Sequence, residues 1–256
     1  MFAVCNLSLV PVRKEPSDKS EMVSQLLFGE MVEIINKQDN WRKIKMLYDG
    51  YIGWLDKKQI VPVTDNEVQK IKNGKQVISG DLVQITVWNG NQICPVVLGS
   101  SLPMYNDHKF IIGSTEFIFE GNVIQADIPN ISRMVENAYM YLNSPYLWGG
   151  RSPFGIDCSG FTQMVFKLCG ISLLRDTGQQ VEQGATINLI EESKTGDLAF
   201  FDNAEGKISH VGMIIPGNQI IHASGKVRVD RIDHQGIYNE ESKSYSHNLR
   251  VIKRYF

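Results

Sequence analysis

The sequence predicts an α+β chain in which two small β-barrels precede a domain of helices packed on an antiparallel sheet. Three observations predict it. Up to about residue 128 the chain is a series of short β segments broken by turn residues, and no helical period holds for long. A polar stretch between Thr64 and Gly80, with Asp65-Asn66-Glu67 and Lys72-Asn73-Gly74-Lys75, divides those segments into two sets. Beyond residue 128 a helical apolar period comes first and strands follow. The expected domains are therefore 1–64, 65–127 and 128–256.

The first set comprises Leu7 to Val12, Met22 to Leu27, Met31 to Lys37, Trp41 to Met46 and Tyr51 to Leu55. The second runs through Leu82 to Trp88, Val96 to Leu98, Lys109 to Ile112 and Glu116 to Phe119. Each spans about sixty residues, the size at which a barrel of five or six strands closes. Trp41, Trp54 and Trp88 are expected in the barrel cores. In the last domain Asn130 caps a helix carrying Ile131, Met134, Val135, Ala138 and Leu142, which Pro145 closes. A second helix starts near Cys158, with Phe161, Val165 and Leu168 on one face and Gly170 as its stop. Strands at Leu198 to Phe201, Ile208 to Ile215, Gln219 to Ala223, Val227 to Val229 and Leu249 to Tyr255 suit an antiparallel meander.

Composition narrows the class. The 256 residues are 43% hydrophobic and 21% charged, with a formal net charge of -2, so the chain has neither a membrane-spanning run nor the basic field that nucleic-acid binding needs. It reads as a monomer with no nucleic-acid or membrane partner. Met1 to Leu7 lacks the pattern of a secretion signal, so the expected compartment is the cytoplasm, or the periplasm or exterior if a leader precedes it. Cys5, Cys94, Cys158 and Cys169 show neither zinc-site spacing nor the density of a disulfide scaffold and are expected to be thiols. Cys158 and Cys169 would lie about 16 Å apart along one helix, too far to bridge.

One cysteine stands where thiol chemistry is favoured. A helix N-terminus supplies a positive field and spare amide donors that lower a thiol pKa, and Cys158 falls there, after a sharp Gly155-Ile156-Asp157 turn. Ser159-Gly160 keeps the first helical turn small enough for a substrate carbonyl to approach. The Cys158 amide and the Tyr146 hydroxyl are candidate donors to a developing oxyanion. By itself the segment fits a buried structural cysteine equally well. The base has to come from elsewhere in the chain, and His210 and His222 flank the Pro216-Gly217-Asn218 turn. A hairpin there sets them close to directly opposite on one sheet face, so that His222 orients His210 while His210 takes the thiol proton. This chemistry needs no metal or other cofactor. His108, His234 and His247 fit no such geometry and read as loop or surface residues.

These residues carry a resemblance. Tyr146-Leu147-Trp148-Gly149-Gly150, Asp157-Cys158-Ser159-Gly160-Phe161, Gly196-Asp197-Leu198, Ser209-His210-Val211-Gly212 and Ile221-His222-Ala223 resemble the NlpC-type papain-like peptidoglycan endopeptidases. The first set of strands resembles the bacterial SH3-like domain through Pro11-Val12-Arg13, Leu27-Phe28-Gly29-Glu30 and Gly50-Tyr51-Ile52-Gly53-Trp54-Leu55; the second resembles it loosely through Ser101-Leu102-Pro103-Met104-Tyr105 and Gly113. With two such domains in front, the chain looks like the γ-D-glutamyl-L-diamino acid endopeptidase subgroup, or dipeptidyl-peptidase VI. The resemblance implies a papain-like fold and cleavage of peptidoglycan-derived stem peptides, L-Ala-γ-D-Glu-diamino acid, with a free N-terminal L-alanine, in murein recycling. It implies catalysis by Cys158, His210 and His222, and substrate contacts from Glu21, Tyr51, Asp176 and Thr177, with Tyr146, Asp157, Ser159 and Arg175 around the nucleophile. Trp148 and Gly149-Gly150 are expected to pack beneath the cleft. The rival readings are a non-catalytic wall-peptide-binding or scaffolding protein and a papain-like amidase of other bond specificity. An intact Cys158, His210 and His222 set weighs against the scaffold.

Overall fold

The computed structural model describes residues 1–90 and 92–256. In its first unit β1 (Phe2–Val4), β2 (Leu9–Arg13), β3 (Met22–Leu27), β4 (Met31–Gln38), β5 (Trp41–Met46), β6 (Ile52–Asp56) and β7 (Val61–Val63) form one sheet in the order β3-β2-β6-β5-β4-β1-β7. Alternate residues Val10, Val12, Leu26, Val32, Ile44 and Leu55 point inward and make its core. The terminal strands β1 and β7 are three residues each, too short to show a period in the sequence. Trp41 and Trp54 stand half-buried at the margin and not in the core.

The stretch expected to be only a polar boundary holds a helix, α1 (Asp65–Asn73). Thr64 and Glu67 close a capping box around its first turn, with Thr64 N–H donating to Glu67 Oε2 at 2.6 Å. Only Val68 and Ile71 are buried, so no apolar stripe marks it in the sequence. After α1, β9 (Val83–Trp88), β10 (Gln92–Val97), β11 (Lys109–Ile112) and β12 (Thr115–Phe119) make a four-stranded sheet in the order β10-β9-β12-β11. A separate pair joins β8 (Val77–Ser79) to β13 (Val123–Gln125). Phe110, Phe117 and Phe119 pack with Phe28 and Val4 of the first unit, so these two units share a core. Trp88 lies half-buried against Phe117, again outside the fully buried set.

The last unit opens with α2 (Met134–Tyr139), preceded by a 3-10 turn capped by Asn130. It stops short of Leu142, and Asn143, at φ 66, turns the chain ahead of Pro145. The hairpin β14 (Arg151–Ser152) and β15 (Gly155–Ile156) then leads into α3 (Cys158–Leu168), and α4 (Thr177–Gln180) follows. Seven strands complete the unit: β16 (Ala185–Ile187), β17 (Leu198–Asp202), β18 (Ile208–Ile215), β19 (Gln219–Ser224), β20 (Lys226–Ile232), β21 (Gly236–Asn239) and β22 (Ser244–Arg254). Their order is β16-β22-β17-β18-β19-β20-β21, and β21 also pairs with β22. The expected antiparallel meander is present from β17 to β21, and the last strand closes it into a ring. Phe161 and Val165 of α3 share a core with Phe200, Val211 and Met213, while Ala199, Phe201, Ile214, Ile220 and Ile252 fill the other face of the sheet.

A buried charge network joins the first unit to the last. Glu30, just after β3, accepts from Arg151 Nη1 at 2.8 Å, Arg151 Nη2 at 3.0 Å and Lys167 Nζ at 2.7 Å, and its own turn supplies the Leu27 amide at 2.9 Å. Arg151 also donates to the Gln25 backbone carbonyl at 2.7 Å and to Gln163 Oε1 at 2.8 Å. Burial alone would raise the Glu30 carboxyl, yet Arg151 and Lys167 outweigh it and bring the pKa down to about 2. Because the folded value is depressed, this carboxylate stabilises the fold above the ordinary carboxylate range, and the contribution is lost as pH falls through that range toward 2. Removing the charge in Glu30→Gln leaves two cations buried against a neutral amide, at a cost of about 3–5 kcal/mol. Scanning calorimetry should register a lower melting temperature at pH 7 and a weaker acid dependence below pH 5 than in the wild type. Equal melting curves at both pH values would show that the network holds nothing together.

Candidate active site

Cys158 is the first residue of α3, and Asp157 is the N-cap whose Oδ1 accepts the Gly160 amide at 2.7 Å. The remaining acceptor capacity of Asp157 is also used. Its Oδ2 takes the Gly149 amide at 2.8 Å, and Arg175 donates to both oxygens, Nη1 to Oδ1 at 2.9 Å and Nη2 to Oδ2 at 2.7 Å. Arg175 Nη1 further donates to Ser159 Oγ at 3.0 Å, and its Nε to Ser24 Oγ of β3 at 3.2 Å. Asp157, Ser159 and Arg175 are therefore partners of one another in a buried lattice beneath the thiol.

Cys158 is only 6% exposed, and its thiol lies against the backbone amides of Val211 and Ser159. Val211 is the neighbour of His210 on β18, so helix start and strand meet at this point. The lowered thiol pKa expected from the helix N-terminus is not what the structure gives. Burial, with the Asp157 carboxylate next in weight, pushes the thiol up to about 12. His210 moves the other way, well below the ordinary imidazole value, through burial and the neighbouring His222 and His247 rings. At pH 7 the free site holds a neutral thiol and a neutral imidazole.

His210 Nε2 and His222 Nδ1 are 2.8 Å apart. The register differs from the expected direct opposition: His222 faces Gly212 across the β18–β19 ladder, and His210 is displaced two residues along the same face. Gly212 is needed there because a Cβ would come within 2.8 Å of His222 Cβ. The next step is Asp230, unmarked in the sequence analysis. His222 Nε2 lies 2.9 Å from Asp230 Oδ2, and Arg228 donates to both carboxylate oxygens, Nε to Oδ2 at 2.7 Å and Nη2 to Oδ1 at 2.9 Å. Burial opposes charge on Asp230, but the hydrogen bonds from His222 and Arg228 hold its pKa below the usual carboxylate range. The signal was available as alternation: Arg228 and Asp230 share a face of β20, with Arg228 opposite His222.

His247 is the other residue missed. It is half-buried on β22, and its ring stacks on His210 with centroids 4.2 Å apart and planes 25° from parallel. Burial brings its pKa down to about 4. Its Nδ1 pairs with Ser246 Oγ at 2.9 Å. Its place became visible only once the return of β22 alongside β17 was known.

The residues expected at the substrate come from both units and meet in pairs. Trp148 does not pack beneath the cleft; it is 59% exposed, and its indole N–H donates to Glu21 Oε1 of the first unit at 2.8 Å. That bond and one from Lys14 hold the Glu21 carboxyl below its usual range. Gly149 permits the approach, since a Cβ there would fall 2.5 Å from the Met22 carbonyl oxygen, and its φ of +77 suits glycine. Tyr51, also from the first unit, is raised to about 12 by burial and by Asp176, which stands before α4 and Thr177. Tyr146 is raised to about 12 by burial and then by Cys158 and Asp157, which puts its ring in the field of the thiol. The cavity of about 300 Å³ lined by Glu30, Tyr48, Lys72, Leu102 and Lys167 lies at the junction of the three units and does not include Cys158.

The family model described as the NlpC/P60 family matches residues 143–246, and the bacterial dipeptidyl-peptidase Sh3 domain matches residues 12–60. The chain is similar to gamma-D-glutamyl-L-lysine dipeptidyl-peptidase of Bacillus subtilis (strain 168), 31% identical over 216 residues that cover 78% of this chain and 71% of that protein. It is similar to dipeptidyl-peptidase 6 of Lysinibacillus sphaericus, 26% identical over 269 residues that cover 92% of this chain and 93% of the other. In fold it is similar to an NlpC/P60 family protein from Bacillus cereus ATCC 10987, with a TM-score of 0.84, 22% identity, and coverage of 100% of this chain and 99% of that one. The chain therefore belongs to the NlpC/P60 family of cysteine peptidases and carries a bacterial dipeptidyl-peptidase SH3 domain ahead of its peptidase domain.

Proposed function

We propose that the chain hydrolyses the γ-D-glutamyl-L-diamino acid bond of peptidoglycan stem peptides with a free N-terminal L-alanine, in murein peptide recycling in the cytoplasm. The observation that carries this reading is the Trp148–Glu21 hydrogen bond, which ties a carboxylate of the first unit to the segment whose next residue, Gly149, donates to Asp157 beside Cys158. A carboxylate there can pair with a substrate ammonium. Lys14 already rests its ammonium 3.3 Å from Glu21 Oε2, so the group accepts such a cation, and a substrate amine would replace it. Tyr51, Asp176 and Thr177 complete that end of the cleft in this proposal.

In the proposed mechanism Cys158 is the nucleophile and His210 the base. Starting from the neutral pair, His210 accepts the thiol proton as sulfur attacks the scissile carbonyl, and the Cys158 amide and Tyr146 hydroxyl face the developing oxyanion. The imidazolium then gives its proton to the leaving amine of the diamino acid. Water attacks the thioester with His210 again as base, which releases the L-Ala-D-Glu acid and the thiol. Asp157 and Arg175 fix the helix start from below. Units 1–64, 65–127 and 128–256 are proposed as the domains, the second a divergent SH3-like unit, and the working form as a monomer.

The similarity to gamma-D-glutamyl-L-lysine dipeptidyl-peptidase supports the bond assignment. Deleting the first unit would strand Arg151 and Lys167 without Glu30, so point variants give the cleaner test. Incubated with L-Ala-γ-D-Glu-L-Lys, its diaminopimelate counterpart and the N-acetylated forms, the enzyme should release L-Ala-D-Glu from the free-amine peptides only, identified by mass. Glu21→Gln should raise KM for the free-amine peptides by about 10- to 100-fold, the loss of one charged hydrogen bond. Equal cleavage of acetylated and free peptides by the wild type would sink the amine rule.

The neutral resting pair has its own consequence. Alkylation of Cys158 by iodoacetamide, followed by peptide mass mapping, should be slow at pH 7 and rise about tenfold per pH unit through pH 9, as the thiolate fraction does below its pKa. A rate already level between pH 6 and 8 would mean a preformed thiolate.

A further inference from the structure

We propose that Asp230, clamped by Arg228, is a positioning residue that selects the tautomer of His210 through His222 and so leaves the reactive nitrogen of His210 free to accept a proton. The inference rests on the reading of Cys158 and His210 given above.

Both oxygens of Asp230 accept hydrogen bonds from the Arg228 guanidinium, at 2.7 and 2.9 Å. A carboxylate held in that fork is an acceptor only, so the 2.9 Å contact to His222 requires the proton to sit on His222 Nε2. His222 is 1% exposed and sits between this carboxylate and His210, with one ring nitrogen turned to each. A neutral His222 with hydrogen on Nε2 has a bare Nδ1. Across the 2.8 Å contact His210 must then donate from Nε2, which leaves His210 Nδ1 unprotonated. Among the described residues nothing else sets this choice, because His247 meets His210 face to face and spends its own Nδ1 on Ser246. The line Arg228, Asp230, His222, His210 thus reads in one direction, and it ends on a lone pair.

Asp230→Asn reverses the logic while keeping size and shape. With its oxygen kept on Arg228 Nη2, the amide gives up the Arg228 Nε bond and turns its NH2 to His222 Nε2, so that His222 carries hydrogen on Nδ1 and His210 is pushed to the form with hydrogen on Nδ1. The test is imidazole nitrogen NMR on the full-length, 15N-histidine-labelled protein without substrate, together with kinetics on the stem tripeptide. Wild type should show His210 protonated on Nε2, and Asp230→Asn should show it protonated on Nδ1. The kcat of Asp230→Asn should fall on the order of a hundredfold with KM unchanged, within the usual reach of acid–base catalysis, and Asp230→Glu should recover much of it. Hydrogen on Nδ1 of His210 in the wild type would overturn the proposal, even if the Asn variant failed to fold. So would a tautomer unchanged by the substitution, or a loss of kcat that Asp230→Glu shares in full. The nitrogen shifts are read on resting protein, so an error in the proposed substrate would appear only in the kinetic arm.

Discussion

The buried ion network around Glu30 is the constraint from which the rest of the arrangement follows. It fixes β3, the edge strand of the first sheet, against the β14 hairpin and α3 of the peptidase domain. From that strand and the residue before it, four residues meet different parts of the site: Gln25 holds Arg151, Ser24 touches Arg175, the Met22 carbonyl lies under Gly149, and Glu21 meets Trp148. A shift of β3 by one residue would displace all of these contacts together. A buried ion network is weak evidence for stability, because desolvation consumes most of its attraction. Its value here is register, since an apolar replacement would let β3 slide while Glu30 has one position that satisfies two cations.

This explains which parts of the molecule were legible beforehand. β3, β5, β11 and β18 match their sequence ranges because turn residues bound them, although only β11 alternates in burial throughout. Cys158 at a helix start and Gly170, with φ +75, at its end were readable for the same local reason. α1 escaped because its face buries only Val68 and Ile71, a stripe too thin to register against its charges. The closure of the last sheet escaped because pairing β22 with both β17 and β21 depends on contacts distant in sequence. His247 went with it. The tryptophans failed differently: size and apolarity argue for the interior, yet Trp54 lies half-buried with Lys43 over its ring, and Trp148 uses its N–H at the surface.

The thiol shows where a local rule gives way to its surroundings. A helix N-terminus favours a thiolate, but at this one the cap is itself an anion. Asp157 spends the amide of Gly160 and places a negative charge beside Cys158, and every residue of α3 is buried, so desolvation adds to the penalty. Arg175 returns part of the loss by pairing with Asp157 from the far side. The balance favours a neutral thiol. Nucleophilicity must then be created at the moment of attack, and the free site is protected from indiscriminate thiolate chemistry.

A neutral thiol places the whole demand on the base, and that demand accounts for the depth of the histidine line. An imidazolium already paired with a preformed thiolate would face no choice of tautomer, because it carries hydrogen on both nitrogens. An imidazole that must remove a proton from a neutral thiol needs a defined lone pair on a defined side. Three adjacent strands supply this by diagonal steps of two residues, His210 to His222 and His222 to Asp230, each on one face of a sheet whose period is two. A helix or loop could carry the same residues, but only adjacent paired strands, locked by the ring that β22 closes, hold three side chains in line with both links within 3 Å. The closed sheet and the neutral thiol are in this sense a single solution, in which rigidity on the side of the base replaces ionisation on the side of the nucleophile.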